Sequence, residues 1–272
     1  MTALWPLALV VVACLGYFAF TRWRDQRLRQ QPFPQDWEPA LQRGVPVYPS
    51  LSPQQQDRLR QLVQVFIARK KFYGCAGLTV TDEMRVVIAA QACLLLLNNG
   101  KRVYPKLKSV LVYPSAFRVD RDDFQDDGTV SSGGRDLAGE SWSNGKVILS
   151  WDNVERGVAD FNDGNNVVLH EFAHQLDSES GSTNGAPALR SNSYRTWSAV
   201  FSSHFDNLRR RAMRRRATVM DTYGATNPAE FFAVATETFF EKPHQLAERR
   251  PDLYAELQQY YQVDPRDWEG QS

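Results

Sequence analysis

The chain has 272 residues, 43% hydrophobic and 23% charged, and its 32 basic and 31 acidic side chains leave a net charge of +1. Those proportions suit a globular body of one domain or two intimate lobes and exclude a disordered or fibrous chain. Near-neutral charge argues against a dedicated nucleic-acid protein, and three cysteines are too few for a disulfide scaffold.

The first predicted element is the uncharged run from Thr2 to Phe20. As a helix it would be ~28 Å long, against a hydrocarbon core of ~30 Å. Arg22, Arg24, Arg27 and Arg29 follow it, the reverse of a secretory signal, and positive charge on that side holds it in the cytoplasm. The expectation is an N-terminal transmembrane anchor over 1–22, single-pass in the inner membrane, with a cytoplasmic body. The alternative is a soluble cytoplasmic protein whose first helix packs on the domain. Val11-Val12-Ala13-Cys14 resembles a lipoprotein cleavage site, but the missing basic n-region and the apolar continuation to Phe20 count against it.

A basic, proline-marked linker is expected over 23–50 and the main domain over 51–265. Leu51 to Lys70 has amphipathic helical spacing, and Thr81 caps a second, Ala- and Leu-rich helix through Leu97. Cys75 and Cys93 lack C-x-x-C partners, which disfavours metal ligation and leaves them as an unbridged pair. Val103 to Val112 suggests a strand, Asp120 to Gly139 an acidic, Gly-rich mobile loop, and Lys146 to Trp151 a second strand. Such a strand, if it lies at a sheet edge, can pair with an extended peptide through backbone groups alone.

Next comes His170-Glu171-Phe172-Ala173-His174. H-E-x-x-H on a helix sets two imidazoles one turn apart on one face with a carboxylate beside them, a zinc site with a built-in base. Val167, Val168, Phe172, Ala173 and Leu176 recur at helical spacing, with Asp163 as candidate N-cap and Gly181 beyond the end. Catalytic zinc takes three protein ligands and keeps a fourth position for water, so one ligand is missing. Asp177 stands two turns past His170 on the same face, where it can ligate, hold an imidazole N–H or make an end-of-helix hydrogen bond.

Further on, Arg209-Arg210-Arg211 and Arg214-Arg215-Arg216 form a sharp charge cluster. Without interleaved aromatics it is expected to be a solvated helix face, with docking on anionic lipid or a protein as the functional alternative. Then Asn227 caps a helix with Pro228 at its first position and Glu230 in its first turn. Asn-x-x-Glu is itself a capping-box-like pattern, and on spacing alone that role is the stronger account of Glu230. Glu237, two turns on, is another ligand or a second-layer carboxylate.

Taken together, His170-Glu-Phe-Ala-His-Gln-Leu-Asp177 and Tyr223-Gly-x-x-Asn227-x-x-Glu230-Phe-Phe-Ala233 resemble the Mlc titration factor A family of zinc peptidases, a gluzincin-type group, and also the catalytic domain of anthrax lethal factor. Phe72-Tyr-Gly-Cys-x-Gly-Leu78, Val112-Tyr-Pro-Ser-Ala-Phe117 and Gly139-Glu-Ser-Trp-Ser-Asn-Gly-Lys146 are similar to other family segments, and the resemblance covers about Pro34 to Gln262. The hydrophobic N-terminus departs from the family's pattern. The resemblance implies an α+β, mostly helical zincin-like domain with a small sheet. It also implies Zn2+ held by His170, His174 and Glu230, Glu171 as base, and Tyr223 assisting at the oxyanion.

The expected function is zinc-dependent peptide hydrolysis, aminopeptidase-like and regulatory in character, with a peptide or protein as substrate. The alternative is a regulatory protein that sequesters a transcriptional repressor, since the family's enteric members bind the repressor Mlc as well as cleaving peptides. The membrane is an expected partner through the first helix, and nucleic acid is not. An intact Glu171 favours catalysis, because a purely structural zinc site needs no base.

Overall fold

The computed structural model describes residues 4–98, 100, 102–115, 145–189 and 193–268. The loop expected between Asp120 and Gly139 lies outside them. The first helix, α1 (Leu4–Arg29), runs straight through the apolar segment into the arginines. Among the described residues no helix is long and apolar enough to cross a membrane, so the transmembrane expectation gains no support. The side chains of 4–8, 10, 11, 14, 17 and 18 are not among those described. The far half of α1 is docked on the body: Arg69 Nε meets Asp25 Oδ1 at 2.5 Å and its Nη2 donates to the Thr21 carbonyl at 2.9 Å.

The stretch after α1 forms α2 (Glu38–Gly44), whose Ala40 and Leu41 join the core with Val45 and Tyr48. Helix α3 (Pro53–Arg69) begins two residues later than the apolar pattern because Pro53 takes the first helical position and Ser52 caps it, accepting from Gln55 N at 3.3 Å. Helix α4 (Asp82–Leu94) starts at its Thr81 cap as expected but stops three residues short of Leu97, where the chain turns. It is buried on every side from Val86 to Leu94, the state of a helix apolar all round.

Three strands form one parallel sheet in the order β1-β2-β3: β1 (Lys71–Gly74), β2 (Ser109–Tyr113) and β3 (Lys146–Ser150). Register runs Lys71↔Ser109 and Ser109↔Lys146. The strand expected over Val103 to Val112 starts only at Ser109. Ahead of it, Tyr104 adopts φ +40° and the Tyr104 and Leu107 carbonyls accept from the buried Lys70 ammonium at 2.6 and 2.8 Å, so that backbone is committed elsewhere. The strand expected from Lys146 ends at Ser150, and Trp151 opens α5 (Trp151–Ala159). Among the described residues β3 is an edge of the sheet.

The remaining helices are α6 (Val167–Ser178), α7 (Tyr194–Met213), α8 (Pro228–Glu241), α9 (Pro243–Arg249) and α10 (Pro251–Tyr261). Phe172 fixes the inner face of α6 against Phe66 and Tyr104, with ring centroids 5.6 and 4.8 Å away. Every residue of α8 from Ala229 to Glu241 is buried, with Phe231 and Phe232 against Trp197 and Phe201 of α7. Glu230, Glu237 and Glu241 are spaced by seven and four, so all three share the α8 face that meets α6. Buried carboxylates need partners, and these find them in the site below.

Candidate metal centre

Helix α6 starts where Asn166 caps it, its Oδ1 accepting from Val168 N at 3.0 Å and Leu169 N at 3.1 Å. Asp163 is not the cap; its carboxylate accepts from Asn165 N at 2.8 Å and shapes the turn ahead of the helix. One turn into α6, His170 and His174 face the same way, with Nε2 atoms 3.2 Å apart.

Glu230 completes the group. Its Oε2 lies 2.9 Å from His170 Nε2 and 3.4 Å from His174 Nε2. The capping role for its carboxylate fails: Asn227 Oδ1 caps α8 by accepting from Glu230 N at 3.0 Å, while the carboxylate turns to the histidines. The three donor atoms all lie within 4.8 Å of one another. Donors about 2.0–2.2 Å from a tetrahedral ion stand about 3.3–3.6 Å apart, so spacings of 3.2 and 3.4 Å fit one shared ion, and the 2.9 Å contact opens modestly to admit it.

The surrounding charge suits a cation. Burial opposes charge on His170, but the carboxylates of Glu237 and Glu230 prevail, with Glu171 adding to them, and its pKa rises to about 10. Burial holds His174 down at about 4, against the pull of Glu230 and with the push of a charged His170. Glu230 stays ionised, at about 2, because hydrogen bonds and charge from both imidazoles overcome its own burial. The pocket thus presents an anionic oxygen and two imidazole edges at one point.

Behind the donors is a second layer. Glu237 Oε1 is 2.7 Å from His170 Nδ1, orienting the ring so that Nε2 faces Glu230, and its Oε2 accepts from Asn166 N at 2.6 Å. The chain's spacing left Glu237 open as ligand or support, and its place is support. Glu241 accepts from Asn165 N and Asn166 Nδ2, both at 3.0 Å, and burial beside Glu237 pushes its pKa up to about 8. Asn166 therefore joins the start of α6 to two carboxylates of α8. Neither Asn166 nor Glu241 belongs to a recognisable motif; the available signal was a third carboxylate, one turn past Glu237, in a helix rich in Phe and Ala.

Asp177 neither joins the donors nor supports an imidazole. Its Oδ2 accepts from Gly185 N at 2.6 Å, and burial raises its pKa to about 6 despite backbone hydrogen bonds from 184–186. Gly185, at φ +79°, lies so close to α8 that a Cβ would stand 2.3 Å from the Pro228 carbonyl, and its own carbonyl accepts from Trp197 Nε1 at 2.9 Å. The Asp177–Gly185 contact thus ties the end of α6 to the first turn of α8, where Glu230 sits. This loop is a positioning element that the chain's periodicity did not reveal.

Glu171 is buried beside the donors, at 1% exposure. Tyr223 sits in a short turn (Thr222–Ala225) begun by Asp221, whose Oδ1 accepts from Tyr223 N at 2.7 Å. Its ring centroid is 6.0 Å from that of His170, and its turn packs on both α7 and α8. Cys75 and Cys93 are unbridged and take no part.

Comparison with known proteins agrees with this geometry. The profile of the glucose-regulated metallo-peptidase M90 family matches residues 20–262. A protein of Synechocystis sp. named only as uncharacterized is 43% identical over 269 residues, 96% of this chain and 98% of its own length. Mlc titration factor A of Serratia proteamaculans is 33% identical over 89% of this chain and 92% of its own, and that of Klebsiella pneumoniae 34% over 84% and 86%. A profile match over most of the length, joined to a His-His-Glu cluster able to hold a metal, places the chain in the glucose-regulated metallo-peptidase M90 family.

Proposed function

We propose that this chain is a zinc-dependent peptidase in which His170, His174 and Glu230 hold the ion, Glu171 is the general base and Tyr223 donates to the oxyanion. The observation that carries the reading is the convergence of His170 Nε2, His174 Nε2 and Glu230 Oε2 within 4.8 Å, from two helices 60 residues apart in sequence. Two imidazoles and one carboxylate form a catalytic zinc donor set that leaves a fourth position open. A zinc ion held by His170, His174 and Glu230 would lower the pKa of a water towards ~7 and would polarise a substrate carbonyl. Glu171 takes the proton of that attacking water and delivers it to the leaving amine. Tyr223 hydrogen-bonds the developing oxyanion, a contribution of ~2 to 4 kcal/mol when such a donor is well placed. Strand β3, an edge of the sheet among the described residues, offers backbone groups to an extended peptide.

The test is metal analysis of the full chain with peptide hydrolysis measured before chelation, after it and after zinc is restored. Activity that follows zinc supports the proposal; hydrolysis indifferent to chelation overturns it. Running aminoacyl-anilides beside internally quenched peptides tests the aminopeptidase-like character.

A second reading is favoured by the relatives' name. Mlc titration factor A is named for Mlc, and a repressor-type partner follows for this chain by analogy alone. Pull-down with the repressor, repeated with Glu171→Gln, separates binding from cleavage. The proposed location is the inner membrane with the body cytoplasmic, supported by the uncharged run from Thr2 to Phe20 and the arginines behind it. Protease added to spheroplasts should then spare the body, and its digestion there would refute that orientation.

A further inference from the structure

Away from the metal site, the C-terminal end of α7 and the junction between α9 and α10 form a cleft of about 360 Å3, lined by Arg211, Ala217, Thr218, Val219, Arg249 and Arg250. That volume falls within the range of small-ligand sites. Arg209, Arg210, Arg214, Arg215 and Arg216, which flank Arg211 in the chain, are exposed. With one excess positive charge in the whole chain, three arginines lining one cleft and five more flanking Arg211 in sequence are a strong local departure.

Elsewhere Arg43, Arg60, Arg69, Arg85, Arg156 and Arg266 are each paired with a carboxylate. Among the described residues none of the eight here has such a partner. Arg211 Nε is buried without a hydrogen-bond partner, while its Nη2 donates to the Ala217 carbonyl. Arg250 Nη2 donates to Asn207 Oδ1 at 2.9 Å. Burial together with the charges of Arg211 and Arg249 depresses the Arg250 pKa, with Asp252 the one carboxylate pulling the other way. Asp252 is itself engaged by His204 at 2.8 Å. Helix-end electrostatics explains basic residues at the end of α7 or of α9 taken singly, but not three guanidinium groups lining one cleft.

We propose that this cleft is a binding site for a phosphate-bearing anion. Guanidinium forks match phosphate oxygens in a bidentate manner, and three of them suit a ligand carrying two or more negative charges. The exposed arginines that flank Arg211 in the chain add positive potential that draws such an anion in.

Isothermal titration of the full chain with inorganic phosphate, pyrophosphate and tripolyphosphate at ~0.15 M salt tests the site. Affinity should rise at least about tenfold from phosphate to tripolyphosphate. Arg249→Gln, at an exposed residue whose side chain has no hydrogen-bond or ion-pair partner among the described residues, should weaken tripolyphosphate binding about tenfold, and Arg211→Gln should do likewise. Arg43→Gln, which removes an arginine paired elsewhere, should leave it unchanged. Peptidase activity without phosphate should be the same in Arg249→Gln and the unaltered chain, which separates failure here from failure of the peptidase reading. Vesicles of phosphatidylcholine with and without phosphatidic acid identify the source: capture by phosphatidic acid that Arg249→Gln abolishes assigns the phosphate to a lipid headgroup, and soluble binding alone assigns it to a free phosphate. Equal tripolyphosphate binding in all variants overturns the proposal. So does binding to a single-stranded oligonucleotide that grows with its length and ignores Arg249→Gln, because a nucleic-acid surface would then be the better account.

Discussion

Helices α6 and α8 meet across the candidate metal site, and they hold its residues by different means. Helix α6 needs only its own period: His170 and His174 share a face because they are four apart, and the Asn166 cap fixes where the helix begins. Helix α8 gives Glu230 no such local guarantee. Its first turn is placed by Gly185 pressed against Pro228, by Asp177 anchoring Gly185, and by Phe231 and Phe232 packed on α7. Two donors are thus set by local spacing and the third by tertiary packing, so damage far from the metal should act through Glu230.

The largest expected effect breaks either helix at the donors. His170→Ala or Glu230→Ala should abolish stoichiometric zinc and, with it, hydrolysis, as read by metal analysis of the dialysed protein. Glu171→Gln should keep zinc and lose nearly all turnover, since it touches the base and not the donor set. Equal zinc loss in all three variants would remove the ground for treating Glu171 differently from its neighbours.

Gly185→Ala sharpens the contrast. The left-handed backbone alone costs ~1 to 3 kcal/mol for alanine, and the Cβ contact with the Pro228 carbonyl adds to it. Thermal denaturation should show the loss of stability, and zinc affinity should fall although every donor is intact. Undiminished affinity would mean that the 184–186 loop does not place Glu230. Glu237→Gln should weaken zinc by about 10 to 100-fold, as changes behind a ligating histidine do, measured by competition with a chelator.

The smallest effect is in pH dependence. Asp177 has a folded pKa of about 6, raised by burial from an ordinary value of 3.8. The folded state therefore holds a proton that the unfolded chain has released between those values, and this group's contribution to stability is lost as pH rises from about 4 to 6. Asp177→Asn should flatten that part of the stability curve. An unchanged slope in denaturant titrations across that range would contradict the assignment.

How much of this was legible in the chain follows the same division. The H-E-x-x-H face, the Asn227–Pro228 start of α8, the Thr81 cap and the β3 strand were readable because each depends on a few adjacent residues. Glu230 was ambiguous by spacing, since a first-turn glutamate after Asn227 serves a capping box equally well, and only the packing of α6 on α8 turns its carboxylate to the histidines. Asp177 was open for a related reason: helical period allows it a ligand, an imidazole-supporting or a helix-end role, and only the loop eight residues on, which supplies its partner, selects the last. Asn166 displaced Asp163 as cap because both are good capping residues three positions apart, and the choice rested on Glu237 and Glu241 holding Asn166 in place.

The central claim is that one ion is shared by two residues of α6 and one of α8. X-ray absorption at the zinc edge on the loaded full chain, alongside Glu230→Ala, tests it most directly. The account predicts two imidazole nitrogens and one carboxylate oxygen at ~2.0 to 2.2 Å, with the oxygen scattering and most of the zinc lost in Glu230→Ala. An unchanged zinc content and coordination shell in that variant would show that the third donor is another residue and that α8 does not hold the metal.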